Sequence, residues 1–175
     1  MTSFSDDGSF QLGENASTII KEKCEVIDKL QSSLDLERHH ERRRKLRRRL
    51  HRRIREIKNK RKELHHKVAN FLTKNYETII LPEFKTSEMV SKLRSKVARS
   101  MLNLSFYQFK LHMKTKCAER GNKLLIVGEE YTTKTCTRCG ELNRPNDREY
   151  KCGKCHLEVH RDVNGARNIL LKNAP

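Results

Sequence analysis

The chain has 175 residues, of which 35% are hydrophobic and 35% are charged, and its formal net charge is +17. This length allows one domain with a small appendage, and no apolar run approaches the roughly 20 residues needed to cross a bilayer. The start, MTSFSDDGSF, lacks the basic and apolar segments of a secretory signal. We therefore expect an intracellular protein without a membrane partner, whose cysteines are reduced.

The first predicted element is a hairpin over residues 2–12, in which TSFS and SFQL flank a turn at Asp6-Asp7-Gly8. From about Ala16 to Asn75, apolar residues recur at steps of three, four and seven. This pattern predicts one long helix or a helical hairpin.

The polar faces of this helical segment, residues 16–75, are strongly basic. Residues 38–62 hold fifteen Lys or Arg against two acids, a net charge of +13. Such a run favours a polyanion partner, and it is also typical of a nuclear localisation signal. We expect eight arginines, named here the arginine cluster, to contact a phosphate backbone: Arg42, Arg43, Arg44, Arg47, Arg48, Arg49, Arg52 and Arg53.

Two buried strands are predicted farther along the chain, at Thr78–Phe84 and Lys123–Glu129. Pro82 should end the first strand or lie at its edge, because it cannot donate a ladder hydrogen bond. A helix capped by Thr86 or Ser87 should connect the two strands.

A final helix is predicted over about Val163–Lys172, with Asp162 as its N-cap. The alternation of strand and helix predicts an α/β fold with parallel strands. In such sheets, chemistry gathers at the carboxyl ends of the strands. Glu83, Glu129 and Asp162 all lie at predicted strand ends or just past them.

Four cysteines form two CxxC pairs, Cys136 with Cys139 and Cys152 with Cys155. Four thiolates at this spacing can close a tetrahedron around Zn²⁺, which predicts a structural zinc ribbon. The alternatives are a rubredoxin-like iron site and disulfides. No other redox feature supports iron, and reduced cysteines argue against disulfides.

A closed four-thiolate site leaves no position for a substrate, so the zinc would be structural. Gly140 and Gly153 stand where each knuckle favours a positive φ. The ribbon could also present basic side chains, among them Arg138 and Lys154, to the phosphates of a nucleic acid.

Hydrolysis of a phosphodiester by two metal ions needs carboxylates from separate elements, and Mg²⁺ prefers such oxygen ligands. Taken alone, Asp162 is more simply explained as an N-cap. Glu83 and Glu129 are more simply explained as solvated acids at strand ends. Together, beside a basic surface and a zinc ribbon, the three acids suggest a nuclease site.

Longer motifs carry a resemblance to a known family. The segments EEYTTKTCTRCG and CGKCHLEVHRDVNGARNIL resemble the C-terminal end of TnpB-type transposon proteins and their eukaryotic relatives, the Fanzor proteins. The segment LHHKVANFLTKNYETIILPEFKTSEMV and the basic helix before it extend the resemblance over essentially the whole chain, and LPEFKTSEM fits the Fanzor branch best. The resemblance implies an RNA-guided DNA endonuclease with a RuvC-like, or RNase H-like, fold. It also implies DNA and a guide RNA as partners.

The resemblance also assigns roles to the acids. Asp162, in RDVNGARN, matches the third acid of the RuvC-like site. Pro82 falls at the usual position of the second acid, and Glu83 lies one residue late. In Fanzor-like members with this replacement, a glutamate at the position of Glu129 takes over. A slip of one residue turns a strand side chain to the other face, so Glu129 is favoured and Glu83 is second choice.

The first acid of the family belongs to a DPG-like segment before the hairpin, and this chain starts just past that point. We therefore expect the C-terminal part of a longer protein, unable to cleave alone. Residues 1–132 and 159–175 would form an incomplete RuvC-like sheet with the basic helices, and residues 133–158 the inserted zinc ribbon. The alternatives are an active Mg²⁺-dependent nuclease completed in trans by a full-length relative, a non-catalytic regulator and a relic. In a eukaryotic host, we expect the nucleus.

Overall fold

The computed structural model describes residues 2–13, 15–83, 102, 104–144 and 147–173. The chain divides into two compact units. The first, named here the sheet unit, comprises Met1–Leu12, Leu72–Phe84 and Met113–Pro175. The second, the helical unit, comprises Gly13–Phe71 and Lys85–His112.

The sheet unit begins with the predicted hairpin, formed by β1, Thr2–Ser5, and β2, Gly8–Gln11. The strands pair antiparallel with Ser5 opposite Gly8, so the two intervening aspartates form the turn. Gly8 has a φ of 117°, a conformation that residues with a Cβ rarely adopt. The turn signal in the sequence is thus confirmed.

The helical unit contains helix α1, Ala16–Leu36, and most of helix α2, His40–Asn75. The backbone is extended at Glu37, which ends α1, so the chain forms two helices rather than one. Their buried residues form one apolar cluster: Ile20, Ile27, Leu34, Leu50 and Ile57. These residues recur at steps of seven, which places them on one face of each helix. The helical-hairpin alternative is therefore confirmed.

Strand β3 spans Thr78–Pro82 and pairs in parallel with β4, Lys123–Val127. Pro82 is the last residue of β3, as predicted. Between these strands lies helix α3, Phe106–Arg120. It is shorter than predicted, because Ser105 has a φ of 46° and lies outside the helix. The predicted caps at positions 86 and 87 lie outside the described residues.

Strand β4 ends two residues before Glu129, so the prediction that the strand includes Glu129 is wrong. The cause is a local turn. The carbonyl of Glu129 accepts hydrogen bonds from the amide of Thr132 at 3.3 Å and from its hydroxyl at 2.9 Å. These bonds direct the chain out of the strand and toward the cysteines.

Two short strands, β5 at Glu149–Lys151 and β6 at Glu158–His160, pair antiparallel within the cysteine module. Helix α4, Arg161–Asn173, follows and packs against β1 and β3. Asp162 lies inside its first turn, so the prediction of Asp162 as N-cap is wrong. The Nδ1 atom of His160 accepts from the amide of Asp162 at 3.2 Å and thus satisfies a first-turn N–H.

The parallel pair β3–β4, flanked by helices, agrees with the α/β class. Across the described ranges, the strands form three separate two-stranded sheets. The larger RuvC-like sheet stays a prediction. In those same ranges, no helix is both long enough and apolar enough to span a membrane.

Candidate functional site

Each CxxC pair lies on a tight knuckle held by its own backbone. In the first knuckle, the amide of Cys136 donates to the carbonyl of Glu141 at 2.8 Å, and the carbonyl of Cys136 accepts from Gly140 at 2.9 Å. In the second, the amide of Cys152 donates to Leu157 at 3.0 Å, and its carbonyl accepts from His156 at 3.1 Å. The two knuckles therefore repeat one geometry.

The residue with positive φ follows the second cysteine of each knuckle. Gly140 has a φ of 76°, as predicted, and His156 has a φ of 56°. Gly153 is not left-handed, so that prediction is wrong. Gly153 precedes the second cysteine of its knuckle, whereas the chain reverses after it. His156 adopts the strained conformation in place of glycine.

The four sulfurs fit one tetrahedral ion. The Sγ atoms of Cys136 and Cys155 are 3.5 Å apart, and those of Cys139 and Cys152 are 3.6 Å apart. All four Sγ atoms lie within 4.8 Å of one another. Around a zinc ion with Zn–S bonds of 2.3 Å, neighbouring sulfurs stand about 3.8 Å apart. The cysteines are free thiols at distances far above a disulfide bond, so the disulfide alternative is wrong.

Two side chains that the sequence patterns did not single out support this centre. Tyr150 is fully buried, and its hydroxyl donates to the carbonyl of Lys134 at 3.2 Å. It accepts from the amide of Asn143 at 2.8 Å. The same amide lies 3.6 Å from the Sγ of Cys152, and the Asn143 oxygen accepts from the amide of Gly153 at 3.0 Å. Burial raises the pKa of Tyr150 to about 12, so its hydroxyl stays protonated as a donor.

The alternation of an apolar residue between two charged ones in Glu149–Lys151 was the available signal for Tyr150. A lone asparagine between knuckles carries no such signal. Neither residue's role in the centre could be read from spacing alone.

Two asparagines on α4 also reach the cysteine module. Asn164 is fully buried; its amide donates to the carbonyl of Thr135 at 2.8 Å, and its oxygen accepts from the amide of Thr137 at 3.3 Å. The amide of Asn168 donates to the carbonyls of Thr132 at 2.8 Å and Thr135 at 2.7 Å. These bonds attach α4 to the segment that leads into the first knuckle.

The two candidate glutamates leave the same edge of the parallel pair. Glu83 directly follows β3, and its amide donates to the carbonyl of Val127 at 2.8 Å. Glu129 follows β4 by two residues. Glu83 is exposed, whereas Glu129 is half-buried. Burial raises the pKa of Glu129, and the charge of Glu130 raises it further.

Asp162 lies on the first turn of α4 and is exposed, with its carboxylate 3.9 Å from the guanidinium of Arg161. Within the described ranges, the four cysteines form the only group of three or more Cys, His, Asp or Glu close enough to hold one ion. The carboxylates of Glu83, Glu129 and Asp162 are not gathered in this way. Their catalytic roles stay a prediction.

In the helical unit, the arginine cluster divides into two groups. Arg43 donates to the carbonyl of Glu37 at 3.3 Å, and Arg53 pairs with the carboxylate of Glu56 at 2.9 Å. These two arginines are half-buried and act within the fold. The other six are exposed to solvent: Arg42, Arg44, Arg47, Arg48, Arg49 and Arg52.

The basic residues of the cysteine module are also exposed. Arg138 lies on the first knuckle between its two cysteines. Lys154 lies on the second knuckle and pairs with Glu141 at 3.6 Å. An exposed ion pair of this kind is weak in water and can be exchanged for a phosphate.

A family model described as "Cas12f1-like, TNB domain" matches residues 106–169. This range includes all four cysteines. It also includes Glu129 and Asp162.

Several proteins are similar in sequence. A625R of Paramecium bursaria Chlorella virus 1, whose name describes a transposase, is 34% identical over 96% of this chain and 39% of its own length. TnpB-like protein L79 of Acanthamoeba polyphaga mimivirus is 32% identical over 66% of this chain and 23% of its own. InsQ of Escherichia coli (strain K12), named as an RNA-guided DNA endonuclease, is 30% identical over 65% of this chain and 32% of its own. The chain thus spans less than half of each relative.

One solved structure is similar in fold. It is described as the cryo-EM structure of a Cas12f1–sgRNA–target DNA complex. The match has a TM-score of 0.53 at 23% identity and covers 74% of this chain and 38% of that one. At this identity, the likeness is one of fold.

Replacing Glu129 by Gln should stabilise the chain at pH 7 in magnesium-free buffer. A raised pKa means that ionisation is less favourable in the folded than in the unfolded chain. The stability that Glu129 contributes is full below its ordinary pKa of 4.5 and is lost as the pH rises through the folded value. Circular dichroism melts should show Glu129→Gln higher in Tm by roughly 1–3 °C at pH 7 and equal at pH 4.

The control for this comparison is Glu22→Gln, which neutralises an exposed glutamate on α1. It should leave Tm unchanged at both pH values. A Glu129→Gln chain that melts below the parent at pH 7 would mean that the carboxylate is stabilised by partners.

Proposed function

We propose, on the premise that the chain belongs to the TnpB-type family of RNA-guided endonucleases, that it is a zinc-binding module that contacts nucleic acid. The observation that carries the proposal is the meeting of four cysteine sulfurs within 4.8 Å of one another. The residues that would hold the ion are Cys136, Cys139, Cys152 and Cys155.

Zinc fits these ligands better than iron. Four thiolates in a closed tetrahedron are typical of structural zinc sites. An iron site of this geometry serves electron transfer, and nothing else in the chain supports redox chemistry. When bound, zinc would neutralise thiolate charge and join the two knuckles. It would leave no open position for a substrate, so any cleavage would need other residues.

Nucleic acid is the partner that the charge favours. The net charge is +17, and six members of the arginine cluster are exposed to solvent. Arg138 and Lys154 add exposed cations at the knuckles. Phosphate contacts release bound counterions, which makes basic surfaces bind nucleic acid tightly at low salt. InsQ, by name, acts on DNA with an RNA guide, so we propose DNA, with guide RNA as a further partner.

Zinc binding can be tested with two cysteine variants of one kind. The parent chain, purified without added metal, should contain one zinc per chain by inductively coupled plasma mass spectrometry. Cys152→Ser should lose most of it, because it removes a buried ligand. Cys24→Ser changes a half-buried cysteine on α1 and should keep one zinc. Equal metal content in both variants would contradict the proposed site, and iron in place of zinc would revive the rubredoxin-like alternative.

The nucleic-acid surface can be tested by the dependence of DNA affinity on salt. Replacing Arg47, Arg48 and Arg49 by Ala should weaken duplex binding. It should also reduce the slope of log K against log salt by as much as about 2.7, or roughly 0.9 for each phosphate that an arginine no longer neutralises. Fluorescence anisotropy from 50 to 200 mM salt would measure both.

The matched control removes three exposed positive charges outside the arginine cluster, by Lys21→Ala, Lys29→Ala and Lys74→Ala together. Its slope should stay near that of the parent. If both triple variants behave alike, binding reflects net charge alone, and the arginine cluster is not the binding surface.

We further propose that residues 1–132 and 159–175 are the RuvC-like part and residues 133–158 the zinc ribbon. In that part, Glu129 and Asp162 are the proposed carboxylates for Mg²⁺, with Glu83 as second choice. In their favour, Glu129 lies past the end of a parallel strand, and its pKa is raised. Asp162 lies on a helix that packs against β3. In a eukaryotic host, the basic segment would direct the chain to the nucleus.

Binding without cleavage is favoured over an active nuclease by one observation. In the part of the chain that the structure describes, no three carboxylates converge on an ion position. We therefore propose that this chain does not cleave DNA alone. A full-length relative acting in trans could complete the site, and a purely regulatory role is the other alternative. Cleavage by the purified chain with Mg²⁺ or Mn²⁺, abolished by Asp162→Ala, would replace this proposal with the enzymatic one.

A further inference from the structure

The segment Thr132–Thr137, named here the strap, connects Glu129 to the first knuckle. Helix α4 holds it from one side. Four side-chain hydrogen bonds between 2.7 and 3.3 Å join Asn164 and Asn168 to three strap residues. Gly165 lies between them, and a Cβ there would come within 3.2 Å of the Thr133 side chain. The helix surface is therefore shaped for close approach of the strap.

The cysteine module holds the same strap from within. The carbonyl of Lys134 accepts from the hydroxyl of Tyr150 at 3.2 Å and from the backbone amide of Asn143 at 2.8 Å. The Asn143 side chain in turn reaches the Sγ of Cys152 at 3.6 Å. Cys136, a further ligand, is part of the strap itself. Two of the four cysteines are thus linked to it directly or through one residue.

The strap also continues to the turn that carries Glu129. Thr132 is buried, and its amide and hydroxyl both donate to the Glu129 carbonyl. At the other end of the same network, Asn164 is two residues from Asp162 on α4. The strap therefore lies between the four cysteines and the two proposed acids.

We propose that Asn164 and Asn168 are positioning residues that make the order of α4, and with it Asp162, depend on metal in the four-cysteine site. This inference rests on the proposed zinc site. Without the ion, the link between the two knuckles depends on weaker bonds, such as those of Asn143, and the strap loses its fixed end. The asparagines can hold α4 only against a strap that is itself fixed. A buried amide left without its carbonyl partner is destabilising, so loss of order in the strap passes to the helix.

Hydrogen exchange measured by mass spectrometry tests this on the full chain. Zinc-loaded protein is compared with protein stripped by a chelator, and exchange is followed in a peptide covering residues 163–171. In the parent, zinc should slow exchange in α4 by about tenfold or more, as expected for local opening that breaks several buried hydrogen bonds. The peptide covering residues 126–131, around Glu129, should be slowed as well.

The variants separate transmission from simple damage to the fold. Asn168→Ala, at a half-buried position, should keep zinc but reduce its effect on α4 to less than about threefold. Asn168→Gln retains an amide donor and should restore part of the effect. The matched control is Asn173→Ala on the same helix, since the Asn173 side chain bonds to the carbonyl of Ile169 within α4. It should behave as the parent does. Asn164→Ala tests the buried partner wherever it folds.

Cobalt provides the readout that shows whether the metal site itself is intact. The Co²⁺-substituted parent, Asn168→Ala and Asn173→Ala chains should share one tetrathiolate absorption spectrum. If zinc binds but α4 exchanges at one rate with or without it, the inference is overturned while the zinc site stands. The same holds if Asn168→Ala keeps the full zinc effect. If the parent takes up no metal at the four cysteines, the proposed function fails and this inference fails with it.

Discussion

The sheet unit depends on one electrostatic constraint, the close approach of four thiols. Sulfurs 3.5 Å apart cannot all ionise without a cation between them, and a bound divalent ion removes that repulsion. The module around them has only a small apolar core, built from Tyr150 and the buried cysteines. A module this small usually needs a metal or disulfides to fold. The hydrogen bonds that reach α4 and the Glu129 turn all start from this centre.

The helical unit obeys a different constraint, in which a narrow apolar stripe must hold a highly charged helix. Residues at steps of seven from Leu50 to Ile57 face α1, and arginines occupy most remaining positions of α2. Glu56 offsets part of the charge through Arg53 and Lys23. The uncompensated remainder repels itself in the free chain. A phosphate backbone would remove that repulsion, which joins the fold of this unit to its proposed partner.

Much of this could be predicted from the sequence where one short pattern determines one local structure. The Asp-Gly turn, the helical hairpin, the parallel strands and the cysteine spacing are of this kind. The errors fell where a contact between distant residues decided the outcome. The cap of α4 came from His160, and the positive φ of the second knuckle fell on His156. The strap contacts of Asn164 and Asn168 join residues about thirty positions apart, and no periodicity encodes them.

X-ray absorption at the zinc K-edge, on protein purified without added metal, tests the central claim most directly. The account predicts four sulfur ligands at about 2.3 Å and no lighter ligand in the first coordination shell. Two or three sulfurs with nitrogen or oxygen completing the shell would contradict it, because the closed centre that holds the strap would then not exist.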